Sequence, residues 1–197
     1  MGLQEAYQAC IDVCNYPYIG YNQDYRTTLD MSVTYRTYCD CSSLMAYCMT
    51  VGGYFTRNPW FTTSDQISDM LNAGWVEQPL SGEWKAGDIL WYRYEGSDPH
   101  GHTEMVYSGG TGSGVLMGAH GRNNRAFPDQ VSIRSSPSNY TQNWMKLLRA
   151  PDGQVVPYDP PDIPPVPGGD PGVPTDAMFR AQVISELQRR YVILGRH

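Results

Sequence analysis

Cys41 is the cysteine whose local position in the sequence favours chemistry. The string YCDCSSLMAYCMTVGG predicts a helix over residues 42–51 that begins beside Cys41, directly after Asp40, and stops at Gly52–Gly53. Backbone N–H groups and the helix dipole at such a start stabilise a thiolate, the nucleophilic form of cysteine. Cys41 is therefore a candidate nucleophile that needs a base. The alternative is a buried helix-start residue without a reactive role.

The base should be a histidine, and the sequence holds four: His100, His102, His120 and His197. His102 opens the predicted strand GHTEMVY, and His120 closes the next one, VLMGAH. The short turn SGGTGSG between them predicts a hairpin, which brings two strands side by side. We therefore expect His102 and His120 to lie close together, as a general base and the group that orients it. The first of the four falls in a turn expected to be exposed, and the last is not expected to take part.

Glu104 and Cys39, which lie near these candidates in the sequence, each have more than one possible role. Glu104 shares a face with His102 by strand alternation, so it could orient His102, contact an amine of the substrate or be a solvated edge residue. Cys39 forms an unusual Cys-x-Cys pair with Cys41, and either thiol could compete as nucleophile or the pair could respond to oxidation. Cys41 remains the candidate because it alone follows the aspartate and precedes Ser-Ser.

The cysteine count argues against a disulfide framework. There are five, an odd number, and no secretory signal precedes them: Cys10, Cys14, Cys39, Cys41 and Cys48. The first, second and last fall inside predicted helices and are expected to be small buried hydrophobic residues.

A zinc site is the main alternative use of the same residue types. Its ligands would be Cys39, Cys41, His100 and His102. Structural zinc sites usually space paired ligands by two to four residues, whereas one residue separates each pair here. The spacing therefore disfavours zinc.

The remaining patterns predict helices first and strands afterwards. Helical segments are expected at 3–14, 42–51 and 64–73, and strands at 88–94, 102–107, 115–120, 130–134 and 144–149. This order predicts an α+β domain with an antiparallel meander.

The domain organisation follows from composition. Residues 1–150 form the expected catalytic body, and residues 151–174 are so rich in Pro and Gly that they predict a semi-rigid linker. Residues 175–197 predict an amphipathic helix of about 18 residues, which cannot bury its own apolar face. We expect that helix to dock on the body, to self-associate or to lead into a further wall-binding region.

Charge and hydropathy exclude several partners. The net charge is −6 and the only lysines are Lys85 and Lys146, so the basic face that nucleic acid requires is absent from the sequence. No stretch approaches the roughly 20 apolar residues of a membrane helix, so membrane insertion is not expected. The first residues, MGLQEAYQACIDVCNYPY, lack a basic segment followed by an apolar run, which predicts synthesis in a cytosol without export by this segment.

Four motifs, in this order, resemble a known family: DCSS opening a helix, then GDILW, GHTEMVY and VLMGAHG. They are similar to the papain-like cell-wall hydrolases of the NlpC/CHAP superfamily, and most similar to the phage peptidoglycan amidohydrolases found in endolysins. The resemblance covers about residues 3–150. It implies a papain-like fold with N-terminal helices packed on a central antiparallel sheet.

The resemblance also implies roles for individual residues. Cys41 would be the nucleophile, His102 the base and His120 the third, orienting member. The segment PYIGY places Tyr18 where the family has a tyrosine that lines the site. Asp40 and Ser42 would flank the nucleophile, and the backbone N–H of Cys41 would stabilise the oxyanion.

Glu104 departs from the family pattern, since many relatives carry a small residue at that position. The implied enzyme needs no metal or organic cofactor. It would cleave an amide of the peptidoglycan stem peptide, as an endopeptidase or an N-acetylmuramoyl-L-alanine amidase.

Bacterial peptidoglycan is thus the expected partner. An endolysin would accumulate in the cytoplasm of the host bacterium before lysis and act at the cell wall. The alternatives are a virion tail-associated lysin and a non-catalytic wall-binding module of the same fold.

Overall fold

The computed structural model describes residues 2–54, 60–93, 101–120, 130–135, 145–153 and 155. Its three helices are α1 (Leu3–Asn15), α2 (Cys41–Gly52) and α3 (Thr63–Asn72). Its eight strands are β1 (Ile19–Tyr21), β2 (Thr37–Cys39), β3 (Val76–Gln78), β4 (Ile89–Arg93), β5 (Gly101–Gly110), β6 (Ser113–Ala119), β7 (Val131–Ser135) and β8 (Met145–Arg149). The predicted helix at 175–197, most of the predicted linker at 151–174, His100 and His197 lie outside the described residues.

The ends of α1 and α2 have local chemical causes. Tyr16, directly after α1, has an extended backbone (φ −82°, ψ 120°), the conformation that the following Pro17 imposes on its neighbour. Helix α2 ends at Gly53 in the left-handed conformation with φ 80°, where the Gly53 N–H donates to the carbonyls of Met49 and Thr50. The predicted C-terminal cap of α2 is therefore confirmed.

The main sheet has six strands in the order β3-β8-β4-β5-β6-β7, and every pair is antiparallel. Strands β4 to β7 form the expected meander, and the hairpin of β5 and β6 lies at its centre. The last strand departs from a simple meander, because β8 crosses back and pairs with β4 instead of β7. The α+β class predicted from the sequence is confirmed, since helices and an antiparallel sheet form one core.

Three short strands were not predicted. Strands β1 and β2 pair in parallel as a separate two-stranded sheet, and β3 pairs with β8 at the edge of the main sheet. Each has three residues, too few to show a period of two. The β1–β2 pair matters for the site because β2 ends only two residues before Cys41.

The core lies between the helices and one face of the main sheet. Helices α1 and α2 pack on each other and on the central strands, where Ile89, Met105 and Met117 are fully buried. A smaller apolar cluster consists of Trp84, Leu90, Tyr92, Val106, Leu116 and Leu147. Cys10 and Cys48 are buried as predicted, whereas Cys14 is half-buried. Among the described residues, no helix has both the length and the hydropathy of a transmembrane segment.

Candidate active site

Asp40 fixes the start of α2 and thereby the position of Cys41. The Asp40 carboxylate accepts the backbone N–H of Ser43 at 2.7 Å, and the Ser43 hydroxyl accepts the backbone N–H of Asp40 at 2.9 Å. This reciprocal capping box satisfies two N–H groups that the helix start would otherwise leave without partners. Cys41 therefore occupies the first position of a well-defined helix, as the sequence predicted.

Arg26, from a loop distant in the chain, also contacts the start of α2. Its Nε donates to Oδ2 of Asp40 at 2.6 Å, and its Nη2 donates to the Ser42 hydroxyl at 2.8 Å and to the carbonyl of Phe61 at 2.7 Å. Ser42 also donates to Oδ1 of Asp40 at 3.0 Å. These contacts give Asp40 and Ser42, both expected to be auxiliary site residues, a defined part in holding the chain around Cys41. The sequence carried no signal for Arg26, because only the fold brings its loop to α2.

We expect Asp40→Ala to lower the free energy of unfolding by about 1–2 kcal/mol through loss of the helix cap. Asp40→Asn is the matched control: asparagine caps helices about as well as aspartate, so the loss should be smaller. Urea denaturation of both variants measures the difference. Equal stability of Asp40→Ala and the unmodified protein would show that the cap does not hold this helix start.

His102 and Cys41, the base and the nucleophile expected from the sequence, lie within hydrogen-bonding reach of each other. Both are buried, with 8% and 6% of their surface exposed. Burial acts to lower the pKa of His102, but the charge of Cys41 and a hydrogen bond to its side chain, together with Glu104, raise that pKa to about 10. A histidine and a cysteine in such contact are the components of an activated thiol nucleophile.

Glu104 lies with one carboxylate oxygen towards each histidine. Its Oε2 is 3.7 Å from Nε2 of His102, and its Oε1 is 3.1 Å from Nδ1 of His120. Oε2 also accepts the Tyr92 hydroxyl at 3.0 Å, and Oε1 accepts Nε and Nη2 of Arg134, each at 3.2 Å. Burial would raise the pKa of Glu104, but His102, His120 and Arg134 lower it to about 2. A fully buried carboxylate is thus held in its charged form among partners that satisfy it.

His120 lies close to His102, as expected, and its orienting role stays a prediction. Its ring lies 5.8 Å from the His102 ring, and the carboxylate of Glu104 approaches both. Burial lowers the pKa of His120, and although Glu104 raises it, the charges of Arg134 and His102 help to bring it to about 4. The group that faces Nε2 of His102 is therefore Glu104, while His120 contacts the other oxygen of that carboxylate.

The remaining expectations have mixed outcomes. Tyr18 packs its ring edge-on against Tyr16, and its carbonyl accepts the backbone N–H of Thr37 at 2.9 Å, so its place beside the substrate stays a prediction. Cys39 is fully buried, and burial together with Cys14, Asp40 and Cys41 raises its pKa well above the usual value. A buried thiol of this kind is a poor nucleophile, which favours Cys41 over Cys39.

Two further residues complete the site, and sequence reasoning missed both. Tyr92 stacks edge-on against His102 with ring centroids 5.0 Å apart, and it is the cross-strand partner of His102 in the β4–β5 pair. Arg134 reaches Glu104 from β7, two strands away. Strand alternation could have suggested which sheet face Tyr92 and Arg134 occupy. It could not have given the register that aligns β4, β5 and β7 around Glu104.

Gly118 leaves room for this cluster. A Cβ at that position would lie 2.9 Å from Cγ of Glu104, closer than real Cβ contacts allow, and 3.2 Å from Cε1 of His120, which is tighter than most of them. Gly118→Ala should therefore displace Glu104, lower stability by about 1–3 kcal/mol and reduce any activity of the site. Gly110→Ala is the control, since its new Cβ would meet only a carbonyl oxygen at 3.8 Å. Thermal unfolding of both variants tests the difference, and equal melting temperatures would refute the steric argument.

A cleft of about 260 Å³ opens beside the first residue of β5. Its lining includes Ser64, Trp91, Arg93, Gly101 and Lys146. Trp91, Arg93 and Gly101 alternate along β4 and β5 with Tyr92 and His102, so the cleft lies on the sheet face opposite to the His102 side chain. It offers an aromatic wall and two cationic side chains.

Of the residues that could ligate a metal, the structure groups a different set from the one weighed in the sequence. Within the described part of the chain, His102, Glu104 and His120 offer ligand atoms within 4.8 Å of one another. His100, a member of the zinc alternative, lies outside the described residues.

Comparison with known proteins adds no family to this geometry, because no protein-family model and no curated protein matches the sequence.

Proposed function

We propose that this protein is a peptidoglycan hydrolase with a papain-like fold of the NlpC/CHAP type, cleaving an amide bond of the stem peptide in the manner of a phage endolysin. The observation that carries the proposal is the buried pair of Cys41 and His102, with the carboxylate of Glu104 at the Nε2 edge of the imidazole. In this arrangement the nucleophile contacts the base, and the base contacts a carboxylate that orients it. These are the components of covalent acyl transfer.

The mechanism follows from these positions. The thiolate of Cys41 attacks the amide carbonyl, forming a tetrahedral oxyanion that backbone N–H groups at the start of α2 stabilise. His102 transfers its proton to the leaving amine as the C–N bond breaks, which leaves a thioester on Cys41. His102 then takes a proton from water, the hydroxide attacks the thioester, and the acid product leaves as the thiolate re-forms. Glu104 keeps the imidazole in position throughout.

Digestion of purified bacterial sacculi tests the proposal directly. Soluble fragments are expected, and mass spectrometry of their new termini names the bond that is cut. A new amine on the stem peptide together with an intact glycan indicates an endopeptidase, whereas free lactyl groups on muramic acid indicate an amidase. Protein that binds sacculi but releases no fragments would instead be a wall-binding module.

A further inference from the structure

The buried triad of His102, Glu104 and His120 has a second use. We propose that it binds a zinc ion, which competes with catalysis by occupying the imidazole of His102. The regulatory part of this proposal rests on the proposed hydrolase function, whereas the binding part does not. All three side chains are buried, and their ligand atoms lie within 4.8 Å of one another.

The first supporting observation is an unmatched nitrogen on His120. Its Nδ1 is buried and has no hydrogen-bond partner among the described residues, although Oε1 of Glu104 lies 3.1 Å away. Its Nε2 lies 3.1 Å from the carbonyl oxygen of Ser132. In either neutral tautomer, one ring nitrogen therefore presents a lone pair to an oxygen that is itself an acceptor. A cation beside Nδ1 and Glu104 removes that conflict.

The second observation is the shell around the three ligands. Histidines that bind metals usually donate their other N–H to a carbonyl or carboxylate, and the Ser132 carbonyl can accept Nε2–H of His120 in that way. Carboxylate ligands are in turn held by hydrogen bonds, as Tyr92 and Arg134 hold Glu104. These partners orient the ligands, and Arg134 also sets a limit on affinity because its positive charge opposes the ion.

The donor set selects the class of ion. Two imidazoles and one carboxylate form a known ligand set of zinc, with metal–ligand distances of about 2.0–2.2 Å. Tetrahedral geometry at such lengths separates ligand atoms by about 3.4 Å. His120 and His102 approach different oxygens of Glu104, at 3.1 and 3.7 Å, and all the ligand atoms lie within 4.8 Å of one another. The carboxylate would therefore either present both oxygens to the ion or turn to present one.

Binding of zinc would inhibit the hydrolase. The ion takes Nε2 of His102 and pulls the carboxylate of Glu104 towards itself, so the imidazole loses the partner that orients it towards Cys41. Zinc bound there lies on the Glu104 side of the ring and does not use the thiol.

Calorimetric titration of the full-length protein with zinc chloride tests the binding. We expect one equivalent to bind to the unmodified protein and to Cys41→Ser with similar affinity. His120→Gln and the shape-preserving Glu104→Gln should each weaken binding by at least about tenfold, since loss of even an outer-shell partner has that effect. His197→Gln is the histidine control and should bind as the unmodified protein does. Circular dichroism establishes that each variant is folded.

A second probe identifies the ligands without any variant. The spectrum of the protein with cobalt(II) in place of zinc should show ligand-field bands and lack thiolate charge-transfer absorption. The proposal fails if His120→Gln and Glu104→Gln bind zinc as tightly as the unmodified protein, if Cys41→Ser abolishes binding, or if no saturable binding occurs.

Measurements of peptidoglycan cleavage distinguish the zinc proposal from the hydrolase proposal. Release of fragments from sacculi should fall in proportion to the zinc occupancy found by calorimetry, and EDTA should restore it. Protein that binds zinc as expected but never cleaves peptidoglycan retains the site and refutes the hydrolase. Protein that cleaves peptidoglycan unaffected by bound zinc refutes the regulatory proposal alone.

Discussion

Replacing Cys41 with serine should lower the release of peptidoglycan fragments by at least about 10⁴-fold, because a serine hydroxyl is a much weaker nucleophile than the thiol that it replaces. Serine preserves the size of the side chain and the start of α2, so the variant should keep its fold. Turbidity loss of a wall suspension measures the activity, and thermal unfolding measures the fold.

Cys39→Ser is the matched control for that variant. Cys39 lies two residues earlier and is fully buried, and the raised pKa of its thiol makes it a poor nucleophile. We expect the control to lose little activity. Full activity in Cys41→Ser would remove the cysteine-hydrolase proposal, and loss in Cys39→Ser alone at unchanged stability would move the nucleophile to that residue.

Glu104→Gln should lower kcat by about 10²-fold or more while KM changes little, because His102 loses the charge that holds its imidazole in place. Glutamine keeps the shape of the side chain and can still accept the Tyr92 hydroxyl or Arg134. His120→Gln should have a smaller effect on kcat, since His120 contacts the carboxylate and lies one step further from the base.

The two variants rank the candidates for the orienting role. Steady-state kinetics on a soluble stem-peptide fragment gives both constants, and circular dichroism controls for folding. A larger loss in His120→Gln than in Glu104→Gln, with both proteins folded, would return the orienting role to His120 as the sequence had suggested. An increase of KM alone in Glu104→Gln would instead place that carboxylate in substrate binding.

Most of the regular elements could be predicted because their signals are local. The run after Asp40 contains a capping residue, an apolar helix and a Gly pair, and α2 begins and ends within one residue of the prediction. The strands from β4 to β8 are bounded by turn residues and were predicted to within a few residues. Strands β1 and β2 escaped prediction because their pairing joins segments 18 residues apart and each is too short to show alternation.

The histidines illustrate the limit of such reasoning. A hairpin places His102 and His120 near each other, and the rings do lie 5.8 Å apart. Alternation also predicts that Glu104 shares the face of His102, and cross-strand pairing with Leu90 and Tyr92 agrees. The sequence does not tell whether His120 or Glu104 faces the Nε2 edge of His102. That depends on the directions of the side chains and on Gly118, which leaves the space for the carboxylate.

By itself, the sequence determined the α+β class, the helix start that carries Cys41 and the two strands that carry His102, Glu104 and His120, because caps, turns and periodicity act over a few residues. The tertiary structure decided the contacts made by residues far apart in the chain. Arg26 reaches Asp40 across 14 residues, and Arg134 reaches Glu104 across 30. Charge and burial at Glu104 depend on such contacts, since a buried carboxylate is stable only where its partners converge.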